Sequence, residues 1–472
     1  MEKSQVKRES WGSRIGFIMA AAGSAVGLGN IWRFPYLTGT NGGGAFILIY
    51  LVFVLGVGLS IMTAEFALGR RAQLAAVGAF KKFNPRFTFV GVLGVLSAFF
   101  IMGFYPVVGG WALAYVFKSV TGLLSNSAAI GDYFGTFISS SYEPLIWMLI
   151  YLFANIFIVA RGVQGGIEKA SKIMMPTLYV LLIIIAIRSI TLPGAGTGVE
   201  FILKPDFSQV SGSTFLAALG QAFFSLSLGM GCMLTYGSYL SKEENLQKNA
   251  LVVTLMDTSV ALLAAIAIFP ALFAFGMEPA AGPGLVFIVV PSIFAQMGGI
   301  GVILSVIFFV ALTLAALTSS VSLLEVVTAY LIDEKKVERK KATYLAGGIM
   351  VITGTLSSLS MGVLSDFNIL FGVGFFDFFD ILTDKIFLAI GGMVIAIFVG
   401  WFMKKEDLKD ELTNGGKIEF ALFDVWYAIT KYLIPIAIGA VAIAGILAIE
   451  QTALMIFGIA LIVVLAIFSK KL

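Results

Sequence analysis

Residues 23–30, Gly23-Ser24-Ala25-Val26-Gly27-Leu28-Gly29-Asn30, put three glycines and two polar side chains into the middle of a long apolar run. A second interruption of the same kind, Ser225-Leu226-Ser227-Leu228-Gly229-Met230-Gly231, lies in a later apolar run. In hydrocarbon a helix satisfies its own backbone, and irregular backbone at that depth is tolerated only where it lines a cavity or is buried in protein. Close helix packing could explain Gly23 and Gly27 alone, as a small face. Paired interruptions at equivalent places in two halves of a chain point instead to a transport site built from repeats.

Around these breaks the chain is strongly apolar. It has 472 residues, 59% hydrophobic and 12% charged, with a strongly positive mean hydropathy. That balance lies outside the range of soluble domains. Runs of about 20 apolar residues, enough to cross ~30 Å of hydrocarbon, recur along the whole chain. Twelve spans are expected, near 14–37, 43–68, 89–118, 143–161, 170–189, 213–240, 249–276, 294–332, 340–361, 372–402, 420–448 and 452–469. The broken spans are then the first members of two five-span halves. The polar start, MEKSQVKRES, leads into the first span without a small-residue cleavage site, so that span is expected to be retained.

Every second loop is basic: Lys3, Lys7 and Arg8, then Arg70 and Arg71, Arg161 and Lys169, Lys242 and Lys248, Lys335 and Arg339, Lys404 and Lys409, and finally Lys470 and Lys471. The stretches Phe275 to Phe309 and Ser357 to Asp384 hold no lysine or arginine. Both termini are therefore expected in the cytoplasm of a multi-pass protein of the cell (plasma) membrane. The formal charge of +4 is accounted for by these loops and does not imply nucleic acid. One cysteine, Cys232, excludes an internal disulfide, and the absence of histidine removes the commonest transition-metal ligand. With no P-loop and no nucleophile elbow, the chain does not read as an enzyme.

Several polar groups inside spans require a reason. Asp257 is near the centre of the seventh run, where an unpaired carboxylate is costly. It reads as a helix-bonding group, a cation ligand or a protonatable coupling group. Ala315-Ala316-Leu317-Thr318-Ser319-Ser320 gives three hydroxyls in a row, which either back-bond to their own helix or serve a hard cation. Glu65 and Glu325 lean towards structural bonding, while Asp377, Asp380 and Asp384 are the acids of the tenth span. Arg33 follows the first break and either snorkels or pairs with a facing acid. Ile101 and Tyr105 share one helical face. Half-helices meeting at a break direct N–H groups at a carboxylate and leave carbonyls for a cation. An amino acid fits that pattern.

At these residues the chain resembles the neurotransmitter:sodium symporter family, in particular its bacterial amino acid transporters. The likeness runs over nearly all of the chain and rests on GSAVGLGNIWRFPYL at 23–37, NGGGAF at 41–46, RGVQGGIEKASKIMMP at 161–176, GQAFFSLSLGMG at 220–231, TYGSYL at 235–240 and ALTSS at 316–320. It implies an all-α fold of twelve transmembrane helices. Residues 1–190 would form the first inverted repeat, 205–402 the second, and 420–472 two further helices.

The resemblance also implies sites. One sodium would take the Ala25 carbonyl, Asn30, Ser225, Asp257 and the substrate carboxylate. A second would take the carbonyls of Gly23, Val26 and Ala315 with the hydroxyls of Thr318 and Ser319. The substrate would lie against Ser24, Ala25, Val26, Gly27, Leu28 and Gly29, under Tyr105. Ile101, Phe224, Ser225, Ser227, Met230, Ser319 and Leu323 would surround its side chain. An apolar pocket with a pliable Met suits a hydrophobic or aromatic amino acid. Arg33 would pair with Asp380, or secondarily Asp377, beneath which Phe224 would close over the substrate. On the other side Arg8 would pair with Asp333 near Trp11, Ser238 and Tyr239. Gly166 and Pro176 would let the fifth span unwind. Chloride-dependent members carry a serine where this chain has Ala261, one turn beyond Asp257, whose fixed charge is expected to make chloride unnecessary. Proton-coupled or uncoupled transport on the same fold, and a substrate-sensing receptor or channel, stay open as alternatives. The oligomeric state is not indicated.

Overall fold

Long apolar runs wind into helices because each helix pairs its own amides and carbonyls within the run. A computed structural model describes residues 9–125, 129–278, 282–368 and 371–472. Among the described residues the chain is all helical apart from an isolated bridge between Gly43 and Pro205. In chain order the principal helices are α1 (Arg14–Ala25), α2 (Gly29–Thr40), α3 (Gly44–Ala72), α4 (Pro85–Val120), α5 (Glu143–Ala160) and α6 (Val163–Ile190). There follow α7 (Gly212–Ser225) and α8 (Cys232–Gly237). The remainder are α9 (Leu246–Ala274), α10 (Leu285–Gln296), α11 (Gly299–Asp333), α12 (Arg339–Leu359), α13 (Phe375–Phe402), α14 (Phe423–Leu447) and α15 (Thr452–Lys471).

Ten of these are long and apolar enough to cross a membrane, and the bent pair α1 and α2, meeting at 52°, makes an eleventh candidate. The expected run 294–332 begins instead at Gly299. Met297 and Gly298 separate it from α10, and a positive φ at Gly298 ends the earlier helix.

Burial sorts the helices. α3, α4 and α13 are the most enclosed, whereas α14 and α15 are the least. Ile436 and Leu447 stand exposed on α14 and Ile467 on α15, an exterior suited to hydrocarbon rather than water. The long helices α4 and α11 pack along each other through the centre. α8 lies against α3 where Gly69 replaces any side chain: a Cβ there would stand 2.0 Å from the Leu234 carbonyl oxygen. This approach carries the second break into the interior, beside the first.

Candidate functional site

α1 stops at Ala25 because Val26 turns extended, and helix resumes at Gly29. α7 stops at Ser225, and Ser227, Gly229 and Gly231 all take positive φ before α8 begins at Cys232. Glycine adopts that conformation without steric cost. Ser227 does not, and it is held by its Oγ donating to the Ser24 carbonyl at 2.8 Å. Two helix C-terminal ends, with carbonyls that no following turn can pair, therefore meet two N-terminal ends with spare amides.

Between the breaks lies a cavity lined by Ala25, Gly27, Gly29, Ile101, Tyr105, Phe224, Ser225, Ser227, Met230, Ser319 and Leu323. The structure thus brings together eleven of the residues singled out from the sequence. Ser24, Val26 and Leu28 do not line it. The Ser24 hydroxyl points to α11, Val26 is wholly buried, and Leu28 contributes only its N–H, donated to Tyr105 Oη at 3.1 Å. Gly27 is required by closeness, since a Cβ there would meet Tyr105 Oη at 2.8 Å and Ser319 Oγ at 3.1 Å. The free volume is about 20 Å³, the room of a single water. Admitting an amino acid therefore needs the lining side chains to part.

Beside the cavity, Asn30, Ser225 and Asp257 form one buried cluster. Asn30 Nδ2 donates to Asp257 Oδ1 at 2.7 Å and to Ser225 Oγ at 3.0 Å, and Ser225 Oγ donates to Asp257 Oδ2 at 2.8 Å. Asn30 Oδ1 accepts from the Gly27 N–H at 3.0 Å. These oxygens suit a hard monovalent cation once the amide turns to present its oxygen. On the other side of α1, Thr318 packs on Gly23, where a Cβ would meet Thr318 Cβ at 3.0 Å. Thr318 Oγ1 donates to the carbonyls of Ala315, at 3.0 Å, and Leu314, at 3.1 Å. Here it follows the ordinary back-bonding habit of a helical threonine, with Ser319 next to it facing Gly27.

The expected pair of Arg33 with Asp380 is not formed. Arg33 Nη1 meets Asp384 Oδ1 at 2.7 Å, and Lys385 Nζ meets Asp384 Oδ2 at 3.0 Å. Asp377, Asp380 and Asp384 recur at three- and four-residue spacing and so share one helix face. α13 starts only at Phe375, leaving Asp377 exposed near its mouth, and passes into a wider π turn at Leu382–Phe387 that brings Asp384 to the depth of Arg33. The Arg33 guanidinium also lies 4.8 Å from the centre of the Phe224 ring, which roofs the cavity. Above them a vestibule of about 400 Å³ opens between α7, α13 and α14.

The opposite end is closed as well. Trp11 Nε1 donates to the Tyr236 carbonyl at 3.0 Å, and its ring packs against Phe17, Tyr236 and Tyr239. Arg8 lies outside the described residues, so its expected pair with Asp333 does too. Asp333 Oδ2 accepts from the Ala75 N–H at 2.7 Å. α6 is wound throughout its length, with Gly166 in a π turn and Pro176 inside the helix.

Sequence reasoning missed several members. Tyr50 Oη reaches Asp257 Oδ2 at 3.5 Å, and Gln221 Nε2 donates to the Gly29 carbonyl at 3.0 Å. A phenol and an amide inside apolar helices were the available signals, because each needs a partner there. Glu325 and Glu65, expected to bond structurally, find partners the sequence did not name: Arg339 grips Glu325 with two nitrogens, at 2.7 and 2.9 Å, and reaches Glu9 at 2.7 Å. Glu65 accepts from the Gly229 N–H at 2.8 Å and so supports the second break.

The chain matches the family model described as the sodium:neurotransmitter symporter family over residues 8–134 and 136–467. It is 43% identical to an uncharacterized sodium-dependent transporter, YhdH, of Bacillus subtilis, over 92% of this chain and 97% of that protein. It is 31% identical to the sodium-dependent serotonin transporter of Drosophila melanogaster, over 69% of this chain and 60% of that protein. Among solved structures, the crystal structure of MhsT in complex with L-phenylalanine is similar at a TM-score of 0.84 and 46% identity. The match covers 93% of this chain and 100% of that one.

Proposed function

The chain belongs to the sodium:neurotransmitter symporter family, is a multi-pass membrane transporter rather than an enzyme, and, we propose, couples import of a hydrophobic or aromatic amino acid to sodium influx by alternating access. The observation that carries this reading is the closed cavity between two helix breaks. Its wall is apolar at Ile101, Met230, Leu323 and Phe224, while the helix ends at the two breaks present partial charges of both signs for an α-carboxylate and an α-ammonium. The phenylalanine bound by MhsT, whose chain is similar throughout, supports the same substrate class.

Two sodium ions travel as co-substrates in this reading. One would use the Ala25 carbonyl, Asn30, Ser225 and Asp257, with the amino acid's own carboxylate completing the set. The other would use the carbonyls of Gly23, Val26 and Ala315 with Thr318 and Ser319. The fixed charge of Asp257, beside the uncharged Ala261, would remove any need for chloride. The two breaks would be the first spans of inverted repeats, residues 1–190 and 205–402, within twelve spans closed by helices in 420–472. Both termini would face the cytoplasm of a plasma-membrane protein, and the Arg33 and Trp11 ends would open in turn as one bundle rocks.

The test is uptake of labelled leucine, phenylalanine, tyrosine and tryptophan by proteoliposomes, with and without an inward sodium gradient. Sodium-driven accumulation is expected. Equal uptake without sodium would overturn the coupling, and uptake driven by a pH gradient alone would favour a proton-coupled transporter on this fold.

A further inference from the structure

Ser24 stands at a junction that the cavity does not explain. It is fully buried in the last turn of α1. Its Oγ donates to Ser322 Oγ at 2.7 Å, and its carbonyl accepts from Ser227 Oγ at 2.8 Å. Ser322, also fully buried, donates onward to the Ser319 carbonyl at 2.7 Å, with Cys232 Sγ 3.5 Å away. Three elements are therefore tied at one point: the end of α1, the stretch between α7 and α8, and α11.

Neither Ser24 nor Ser322 lines the cavity, so neither hydroxyl touches a bound side chain. Both are one step from groups that face it: Ser319, which Ser322 holds by its carbonyl, and Ser227, which donates to the Ser24 carbonyl, line the cavity. Gly23, next to Ser24, packs on Thr318. A buried hydroxyl without a partner is costly, so each serine holds the other in place. Helix ends without a covalent helical continuation need such a tie to keep their carbonyls in register with a neighbouring helix.

We propose that the Ser24 and Ser322 hydroxyls are positioning groups that hold the broken end of α1 against α11, and so align the carbonyls of Gly23, Val26 and Ala315 with the hydroxyls of Thr318 and Ser319 for a sodium ion. This rests on the second sodium site proposed above. It assigns Ser322, which is neither a ligand nor a pocket residue, a part in sodium affinity rather than in substrate affinity.

The test is sodium-dependent phenylalanine uptake by proteoliposomes bearing Ser24→Ala, Ser322→Ala or both. Loss of one buried hydrogen bond should raise the sodium concentration for half-maximal uptake by about three- to tenfold. The phenylalanine KM at saturating sodium should stay within about twofold of the parent value. The double variant should be no worse than the worse single one, since both changes remove the same bond. Cys232, the sole cysteine, offers a second readout at the junction. Its labelling by a small thiol reagent should be slowed by sodium in the parent, and that protection should be lost in Ser322→Ala even if uptake is too weak to titrate. An unchanged sodium dependence, additive effects of the two changes, or sodium protection of Cys232 retained in Ser322→Ala would each overturn the proposal. Failure of the underlying reading would look different, because Thr318→Ala, at the second site itself, would then leave the sodium dependence of uptake unchanged.

Discussion

Asn30 Nδ2 and Asp257 Oδ1 stand 2.7 Å apart with both residues fully buried, joining the restart of the first broken helix to the middle of α9. A carboxylate at that position is held by Asn30 and Ser225 on one side and Tyr50 on the other. None of these partners is a basic side chain, and in the proposed sodium site Asp257 would supply the negative charge that a ligand set of neutral oxygens lacks. Asp257→Ala is expected to lower sodium-dependent substrate binding by at least about tenfold, the cost of a charge-assisted contact. Binding by scintillation proximity across a sodium series checks it.

In the proposed reading the same fixed charge would also stand in for chloride. Replacing external chloride by gluconate is expected to leave the initial rate of sodium-driven uptake unchanged. A strict chloride requirement would refute the role given to Asp257.

Arg33 and Asp384 close the vestibule side, so both singles, Arg33→Ala and Asp384→Ala, should reduce net uptake by about tenfold or more if the closed state is lost through that pair. Asp377→Ala, at an exposed position on the same face, should stay within about twofold. Parallel transport assays of the three variants distinguish the acids, and equal losses at Asp377 and Asp384 would show that the face, not the ion pair, matters.

Pro176 breaks the hydrogen-bond ladder inside α6. Pro176→Ala restores an amide and should stiffen the helix, slowing sodium-coupled turnover while leaving equilibrium sodium and substrate binding in place. Transport at the parent rate would show that unwinding of the fifth span at Pro176 plays no part in turnover.

Away from the cavity, Arg70 is 1% exposed and pairs with Glu411, itself 6% exposed, at 2.6 Å. It also donates to the Glu244 carbonyl at 2.6 Å. Arg70→Ala strands a buried carboxylate, with Lys242 at 3.1 Å as its remaining cation. A loss of about 3 kcal/mol is expected, read as a lower melting temperature in detergent with sodium and substrate affinities retained in the fraction that folds.

Much of this protein was legible in one dimension because hydrocarbon leaves a chain few choices. A run that must pair its own backbone becomes a helix, so composition alone determined the helical class and approximate spans, and glycine with serine in two such runs marked the breaks. Ala25, Gly27, Gly29, Ser225, Ser227 and Met230 sit in or at the breaks themselves, whereas the place of Ile101, Tyr105, Phe224, Ser319 and Leu323 around the cavity was implied by the family resemblance rather than by composition. Partner choice was not readable. Asp377, Asp380 and Asp384 are equivalent by spacing, and only the start of α13 and its π turn set Asp384 level with Arg33. The grip of Arg339 on Glu325, the approach of Tyr50 to Asp257 and the meeting of Ser24 with Ser322 join residues far apart in the chain. Periodicity says which face a residue occupies, but the depth and rotation at which two helices pack are decided by side chains interlocking across the bundle, and those exist only in the tertiary structure.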